Sequence, residues 1–396
     1  MQAVLVTNGP GELYTWVKPI LAVIRQHYPA YRVIISLIPC QFASGDEARI
    51  AQSFGADGVS SVSEFVRLMS LGTLPPAFNR DIQGFVLSLG GNGAMAAQLA
   101  QKLDYPLYRY SFVPSKHKDF RKLFVHDEKA YQKALALGVR GDRLEHPGNL
   151  VADAVNLSQK SQTQGKPHIL LMFGSRDIFA KYIIPFMCAL AEALQERYPQ
   201  ASFVSPISHL LKPSTIAEGI SGKHKVIGVS SRQEGNKIIT PKGTVIKLIP
   251  ESERYAHMRA ADLAITIPGT NTLEIGIAQL PAVVMLPLNK PEAIPLEGIG
   301  HFVGLIPLIG PYLKGFLVKL IAPHLPVSLP NLFSGENLML EIKRKVSLEE
   351  VLEATSNLLD DEARRHHIKE RLAATMPKPG AAYKILESII TDLMQL

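Results

Sequence analysis

The chain has 396 residues, of which 46% are hydrophobic and 19% are charged. This is the composition of a folded globular protein, and it excludes a mainly disordered, coiled-coil or collagen-like chain. At about 150 residues per domain, the length predicts two domains, or three. The formal net charge of +7 favours phosphate groups, nucleic acid or an acidic membrane surface as partners. Cys40 and Cys188 are the two cysteines, too few for a disulfide scaffold, a Cys₄ zinc site or a cysteine-held iron–sulfur cluster.

The first half of the chain alternates strand and helix patterns. It starts with a short apolar β-type run, without the features of a signal peptide, so we expect a cytoplasmic protein. Apolar strands separated by helices predict a parallel sheet covered on both faces. The predicted strands are 3–7, 32–38, 82–89, 107–110 and 122–126, and the predicted helices are 14–27, 47–54 and 95–103.

A polar segment at 156–167 interrupts this alternation and is typical of an interdomain linker. The alternation then restarts, which predicts two Rossmann-like parallel-sheet domains. Ligands of such sheets bind at the carboxyl ends of the strands, so we expect the site in a central cleft between two facing domains. The predicted strands are 168–173, 201–206, 244–249, 263–267 and 282–286, and the predicted helices are 182–198, 252–260, 271–278, 347–359, 361–374 and 381–394.

Residues 299–326 do not fit this pattern, because they are very apolar and carry only Lys314 and Lys319 as full charges. A membrane-spanning helix needs about 20 mostly apolar residues, and here prolines and glycines interrupt the run. Three interpretations stay open: a buried hairpin of the second domain, an interfacial segment that contacts membrane or lipid tails, and, least favoured, a transmembrane helix.

Two glycine-bearing loops follow predicted strands of the first half. Gly11 and Glu12 lie after the first strand, where a helix N-terminus offers free N–H groups. The segment 89–94 (LGGNGA) has three glycines that allow close approach of a ligand. The first loop lacks the GxGxxG spacing of dinucleotide sites. A tight turn and close helix–sheet packing are the alternative explanations.

The second half has two further loops with more specific chemistry. In the first, LMFGSR at 171–176, Gly174 and Ser175 lead to Arg176, a permanent cation whose fork matches diphosphate oxygens; the alternative is a surface salt bridge. In the second, IPGTNTLE at 267–274, free N–H groups and hydroxyls predict a phosphate cradle, and Glu274 is a candidate acceptor for ribose hydroxyls. Helix capping is the alternative for this second segment. Its candidate ligand residues are Gly269, Thr270, Asn271, Thr272 and Glu274.

Metal and nucleic-acid sites are not expected. The histidines are scattered without metal-ligand spacing, and GxSxG, HExxH and GxxxxGK[ST] motifs are absent from the sequence. The basic residues are dispersed rather than forming one stripe interleaved with aromatic residues.

Taken together, the motifs resemble those of the lipid-A-disaccharide synthase family of GT-B glycosyltransferases, in order and over most of the chain. The most specific is SLPNL at 328–332, which resembles the family's SLPNLL segment. The others are Gly11-Glu12 (GExSGD in the family), HPGNLVAD at 146–153, LMFGSR at 171–176, Ala261-Asp262 with 268–274 (AD…SGTATLE), and LPAVV at 280–284.

The resemblance implies inverting transfer of an acylated glucosamine from a UDP-sugar, as co-substrate, to a lipid-like sugar phosphate. It makes Arg176 and Asn331 functionally important and assigns 270–274 to the nucleotide-sugar cradle. No metal or cofactor is needed if Arg176 and helix N-termini balance the charge of the leaving UDP. The expected location is the inner face of the membrane, contacted through 299–326.

The sequence also departs from the family. The acidic position of GExSGD is Trp16, and the family's Asp-bearing IDAPDFN motif is replaced by the glycine-rich 89–95. The family's acceptor and catalytic base therefore cannot be assigned to this chain from these motifs. Glu12 is the first candidate base, with helix capping as the alternative; His117, His126 and Asp127 are weaker candidates. The competing functions are a UDP-sugar 2-epimerase and a non-catalytic UDP-sugar or lipid binding protein.

The predicted domain plan is 1–160 for the acceptor, 167–365 for the nucleotide sugar with an apolar insertion at 289–326, and 366–396 for C-terminal helices. In GT-B folds the last helix commonly crosses back to the first domain. In the family that the chain resembles, the C-terminal region is also exchanged between subunits, so a homodimer stays possible.

Overall fold

The structure is a computed structural model that describes residues 1–40, 45–114, 119–162, 165–286 and 325–395. These residues form two compact units, Met1–Leu157 with Pro377–Leu396 and Ser158–Met376. The predicted apolar segment 299–326 lies outside the described residues except for its last two, and so do His117 and His301. Among the helices that the structure describes, none is both long and apolar enough to cross a membrane.

Unit 1 contains a seven-stranded sheet with the order β3-β2-β1-β4-β5-β6-β7 among the described residues. All neighbouring strands are parallel, as predicted. Alternate residues of the central strands face opposite layers: Leu5 and Leu87 pack in one buried cluster, Val4 and Val86 in the other. The strands are β1 (Gln2–Thr7), β2 (Arg32–Leu37), β3 (Gly58–Ser60), β4 (Gly84–Leu89), β5 (Leu107–Ser111), β6 (Lys122–Val125) and β7 (Leu144–Glu145).

The helices predicted at 14–27, 47–54 and 95–103 correspond to helical segments of unit 1, whereas the helices Val62–Leu71, Glu128–Ala136 and Leu150–Leu157 were not predicted. The segment predicted as one helix, 14–27, is instead a short turn α1, then a π-helical turn at Leu13–Val17, then α2. The described helices are α1 (Pro10–Glu12), α2 (Lys18–His27), α3 (Glu47–Ser53), α4 (Val62–Leu71), α5 (Gly93–Leu103), α6 (Glu128–Ala136) and α7 (Leu150–Leu157).

Unit 2 contains an eight-stranded sheet with the order β10-β11-β12-β9-β8-β13-β14-β15 among the described residues. It is parallel except at one edge, where β10 and β11 form an antiparallel hairpin that continues antiparallel to β12. The strands are β8 (His168–Leu171), β9 (Ser202–Ile207), β10 (Arg232–Glu234), β11 (Lys237–Ile239), β12 (Val245–Pro250), β13 (Leu263–Thr266), β14 (Ala282–Met285) and β15 (Leu340–Ile342).

The helices of unit 2 cover this sheet, and the last helix of the chain returns to unit 1. The described helices of unit 2 are α8 (Asp177–Arg197), α9 (Pro213–Ser221), α10 (Arg254–Ala260), α11 (Asn271–Ile277), α12 (Leu329–Ser334), α13 (Leu348–Asp360) and α14 (Glu362–Thr375). The final helix, α15 (Ala381–Leu393), packs its buried face in the core of unit 1.

The chain changes unit at Pro377 rather than at residue 366, where the third predicted domain begins. The reason is that α14 is held to unit 2: its Ile368 and Leu372 are buried, and Arg371 forms an ion pair with Glu336. The linker predicted at 156–167 overlaps the other division, between Leu157 and Ser158.

Candidate functional site

The two loops that the sequence singled out in the second half lie side by side in unit 2. Strands β8 and β13 are parallel neighbours with Leu171 opposite Ile265, and Met172 N donates to Ile265 O at 2.9 Å. Gly174 has a φ of +84°, and a Cβ atom there would lie 2.8 Å from Ile267 Cδ1. The backbone conformation at this position favours glycine, and the two loops are in close contact here.

This paired strand end presents exposed polar groups. Ser175, Arg176, Gly269 and Thr270 are exposed, and the Arg176 side chain makes no hydrogen bond or ion pair with any described residue. Arg176 immediately precedes α8, which has 21 residues. The first N–H groups of a helix lack intrahelical partners, and its macrodipole places about half a positive charge at this end. The surface therefore suits an anionic ligand.

Two other residues of the predicted cradle shape the turn from inside. Thr272 is buried; its Oγ1 donates to Gly269 O at 2.8 Å and accepts from Leu329 N at 3.0 Å. Asn271 Nδ2 donates to Thr266 Oγ1 at 2.5 Å. Thr270 is exposed, whereas the Thr272 hydroxyl is used within the protein, because residues two positions apart point to different sides of a helical turn.

Glu274 is buried in a charged network. Its Oε1 accepts from Arg254 Nη2 at 2.7 Å and from Tyr255 Oη at 3.0 Å. Arg254 Nη1 also contacts Glu251 Oε1 at 2.5 Å, and Glu251 Oε2 accepts from His209 N at 2.9 Å. Burial alone would lower the pKa of Arg254, but Glu274, Tyr255 and Glu251 raise it, so the guanidinium stays charged. Glu274, the predicted acceptor for ribose hydroxyls, thus forms its hydrogen bonds with Arg254 and Tyr255 in this structure.

Asn331 is also occupied by the protein itself. Its Nδ2 donates to Met339 O and to Glu341 Oε1, both at 2.9 Å, and its Oδ1 accepts from Met339 N at 2.8 Å. Both amide hydrogens are used, and the residue is 2% exposed. Asn331 thus connects α12 to Met339 and Glu341 through hydrogen bonds. Its catalytic role stays a prediction.

In unit 1, Glu12 lies against the glycine-rich loop that follows β4. A Cβ atom at Gly90 would lie 3.0 Å from Glu12 Cγ, and one at Gly9 would lie 2.5 Å from Glu12 Oε2. Glu12 is half-buried and makes no hydrogen bond or ion pair with a described residue, while Gly11 is exposed. The two glycine-bearing loops predicted from the first half therefore meet at one strand-end surface.

The sequence did not reveal two sets of residues near these loops. One is the buried Arg254 with Glu251, for which no motif exists. The other is an aromatic cluster of Trp16, Phe112 and His126, which comes from three separate parts of the chain. In the sequence, Trp16 stands out only as a replacement for an acidic residue. Within the described ranges, no three His, Cys, Asp or Glu side chains form a possible metal site.

Comparison with known proteins gives one family that part of the chain resembles. A family model described as Lipid-A-disaccharide synthetase matches residues 150–292, which include both strand-end loops of unit 2. The lipid-A-disaccharide synthase of Anaeromyxobacter dehalogenans is 23% identical over 226 residues, 56% of this chain and 48% of that protein. The enzyme of the same name from Neisseria gonorrhoeae is 24% identical over 261 residues, 64% and 55% of the two chains. The chain spans about half the length of the curated relatives it matches.

Solved structures of low sequence identity share the fold over the whole chain. S. aureus MnaA, solved with UDP, has a TM-score of 0.59 at 15% identity, and the likeness covers 100% of this chain and 98% of that chain. The UDP-GlcNAc 2-epimerase of Neisseria meningitidis, bound to UDP-GlcNAc, has a TM-score of 0.54 at 13% identity, with 99% of this chain and 100% of that chain covered. These likenesses confirm the predicted GT-B fold class. By its family-model match and its curated relatives, part of the chain is similar to lipid-A-disaccharide synthases.

Proposed function

We propose that the chain is an inverting, metal-independent glycosyltransferase that moves a glucosamine-type sugar from a UDP-sugar to a lipid-linked acceptor. The observation that supports this most is the pair of strand-end loops in unit 2. They place Arg176 at the N-terminus of the long helix α8. Arg176 is exposed and has no ion pair with a described residue. Such donors suit the diphosphate of a UDP-sugar.

The chemistry follows from the leaving group. An acceptor hydroxyl oxygen attacks the anomeric carbon, the bond from that carbon to the UDP oxygen breaks, and the electron pair leaves with UDP. Negative charge grows on the diphosphate, so fixed cations and N–H groups lower the barrier. Arg176 and the start of α8 are proposed for this role. Glu12 is proposed to take the acceptor hydroxyl proton as general base.

The test is release of UDP from UDP-N-acetylglucosamine and its acylated forms, with and without a glycolipid acceptor. Release that depends on acceptor supports transfer, and it should persist in EDTA if the reaction is metal-independent. Turnover of the UDP-sugar without acceptor would indicate a 2-epimerase instead. UDP binding without any turnover would leave only a binding protein.

Arg176 gives this proposal a residue-level test. Arg176→Ala should weaken UDP binding at least tenfold, because a charge-assisted hydrogen bond contributes about 1.5–3 kcal/mol. Calorimetric titration with UDP measures this directly. Arg364, exposed on α14, provides the matched control, and Arg364→Ala should leave the affinity unchanged. Equal UDP affinity in both variants would remove Arg176 from the site.

We further propose that the protein works at an acidic membrane surface, where a lipid-linked acceptor resides. The net charge of +7 and the apolar sequence 299–326 support this. Co-sedimentation with vesicles rich in phosphatidylglycerol, compared with phosphatidylcholine vesicles, tests it. Replacing Leu305, Ile306, Leu317 and Val318 with Ser should abolish sedimentation in a folded protein. Sedimentation that persists would contradict the assignment.

A further inference from the structure

A cluster of aromatic side chains lies at the strand-end edge of unit 1. Trp16 and Phe112 have ring centroids 5.0 Å apart, and Phe112 and His126 have centroids 4.3 Å apart. Phe112 directly follows β5, and His126 directly follows β6. Beneath them, the fully buried Tyr110 meets Trp16 edge-on, with centroids 5.3 Å apart. The rings are thus braced from below.

This cluster keeps an accessible side. Trp16, Phe112 and His126 are all half-buried, unlike Tyr110, and the next residue after Phe112, Val113, is 69% exposed. Trp16 and Phe112 pack against the core on one side and keep part of their ring surface accessible, and accessible aromatic surface is common in ligand-binding sites.

The local backbone around Trp16 is unusual. Trp16 lies in the π-helical turn Leu13–Val17, and π-helical turns inside helices occur frequently at functional sites. The loop after β4 approaches the ring closely: a Cβ atom at Gly90, whose φ is +103°, would lie 3.4 Å from Trp16 Cζ3. Arg109 Nη2 donates to Gly91 O at 3.2 Å, and this hydrogen bond holds the loop in place. Glycine therefore leaves room beside the indole.

A carboxylate completes the surface. Glu12 Cγ contacts the same Gly90, since a Cβ atom there would lie 3.0 Å from it. Trp16 and Glu12 therefore flank one glycine. A carboxylate in this place disfavours a phosphate by repulsion and an acyl chain by the cost of its own desolvation. It fits a neutral ring that carries hydroxyl groups on its edge and C–H groups on its face.

We propose that this surface is a carbohydrate-binding site. In it, the Trp16 ring stacks against the face of a sugar ring, and the Glu12 carboxylate accepts a hydrogen bond from a hydroxyl group of that sugar. This inference deepens the proposed function: the acceptor is recognised through its sugar, and Trp16 determines that specificity. The replacement of an acidic residue by Trp16 then changes which acceptor is bound rather than abolishing acceptor binding.

The sequence contains a single tryptophan, so the intrinsic tryptophan emission of the whole chain reports on this site. We expect octyl β-glucoside, added below its micelle-forming concentration, to shift the emission saturably. Octan-1-ol, which has the chain without the sugar, should not shift it. An equal effect of octan-1-ol, or no effect of the glucoside, would overturn the proposal.

Variants extend the test to affinity. Trp16→Leu should weaken glucoside binding, measured by calorimetry, at least tenfold, and Trp16→Phe should weaken it less because a ring is kept. UDP affinity should be unchanged in both. Glucoside binding that survives Trp16→Leu would overturn the assignment even where the proposed function holds. Failure of wild-type protein to bind UDP would instead contradict the proposed function and leave the sugar site standing.

Discussion

Arg254 Nη2 lies 2.7 Å from Glu274 Oε1, and the two side chains are only 11% and 8% exposed. Through Glu251, the same arginine is linked to His209 N. One cation therefore connects the segments that follow β9 and β12 to helix α11. Because α11 begins directly after Thr270, this network supports the exposed loop that we propose for the nucleotide.

Arg254→Met should destabilise the protein by about 3–5 kcal/mol, because it leaves the buried carboxylates of Glu251 and Glu274 without their cation. Urea unfolding measures the loss. Arg197→Met is the matched control in unit 2, since its ion pair with Asp360 spans 3.3 Å and both side chains are about half exposed. That control should cost less than about 1 kcal/mol.

A combined variant separates the lost charge pairing from lost packing. Adding Glu251→Gln and Glu274→Gln to Arg254→Met removes the uncompensated charges, so it should recover at least about 1 kcal/mol relative to Arg254→Met alone. A triple variant less stable than the single one would show that the charges are not the source of the loss.

Asn331→Ala should act on stability rather than on turnover. The change leaves the backbone groups of Met339 and the carboxylate of Glu341 without their partner, at an expected cost of about 2–3 kcal/mol. Urea unfolding and UDP-release rates at saturating UDP-sugar are the two measurements. A catalytic role would give the opposite pattern, with turnover lost and stability kept.

Asn357, which is exposed on α13, is the control for that substitution. Asn357→Ala should leave the stability unchanged or raise it slightly, because alanine has the higher helix propensity. A loss of stability in both variants would mean that the effect does not come from the hydrogen bonds of Asn331.

The contrast between Arg176 and Asn331 shows what local sequence predicts here. Arg176 follows a strand pattern, and parallel strands bring their carboxyl ends to one edge, so the proximity of the 171–176 and 267–270 loops follows from the predicted sheet. Asn331 forms hydrogen bonds with Met339, and Glu274 forms an ion pair with Arg254. Both contacts depend on the complete fold.

The elements that the sequence pattern did not predict include a hairpin and a helix that were missed for different reasons. The hairpin of β10 and β11 was not predicted because Arg232, Gln233 and Glu234 are all exposed and give no apolar alternation. Helix α4, in contrast, carries a readable signal that was overlooked: Ser61 and Glu64 form a capping box at its start.

Stability should fall in mild acid because of His168. Burial, reinforced by the neighbouring His257, lowers the pKa of His168 to about 4, whereas an unfolded histidine titrates near 6.5. The unfolded chain therefore binds more protons, and stability is lost as the pH falls from about 6.5 towards 4, by an amount on the order of 3 kcal/mol. Above about pH 7 this contribution should not change.

Urea unfolding at pH 7.5, 6 and 5 measures this dependence. His168 Nδ1 lies 2.7 Å from Ser202 Oγ, and His168→Gln keeps a polar side chain at this place. The variant should lose less stability between pH 6.5 and 5 than the wild-type protein. An unchanged pH profile in this variant would assign the acid sensitivity to other groups.

Asp153 should hold the C-terminal helix in unit 1. Its Oδ1 accepts from Gly380 N at 2.9 Å and its Oδ2 from Ala381 N at 3.1 Å, so it caps α15 from another part of the chain. Asp153→Ala should cost about 1–2 kcal/mol and should speed hydrogen exchange of the α15 amides. Asp361→Ala removes a comparable cap from α14 in unit 2. If docking depends on Asp153, exchange in α15 will rise in the first variant only, and equal exchange in both would show that apolar packing alone secures the helix.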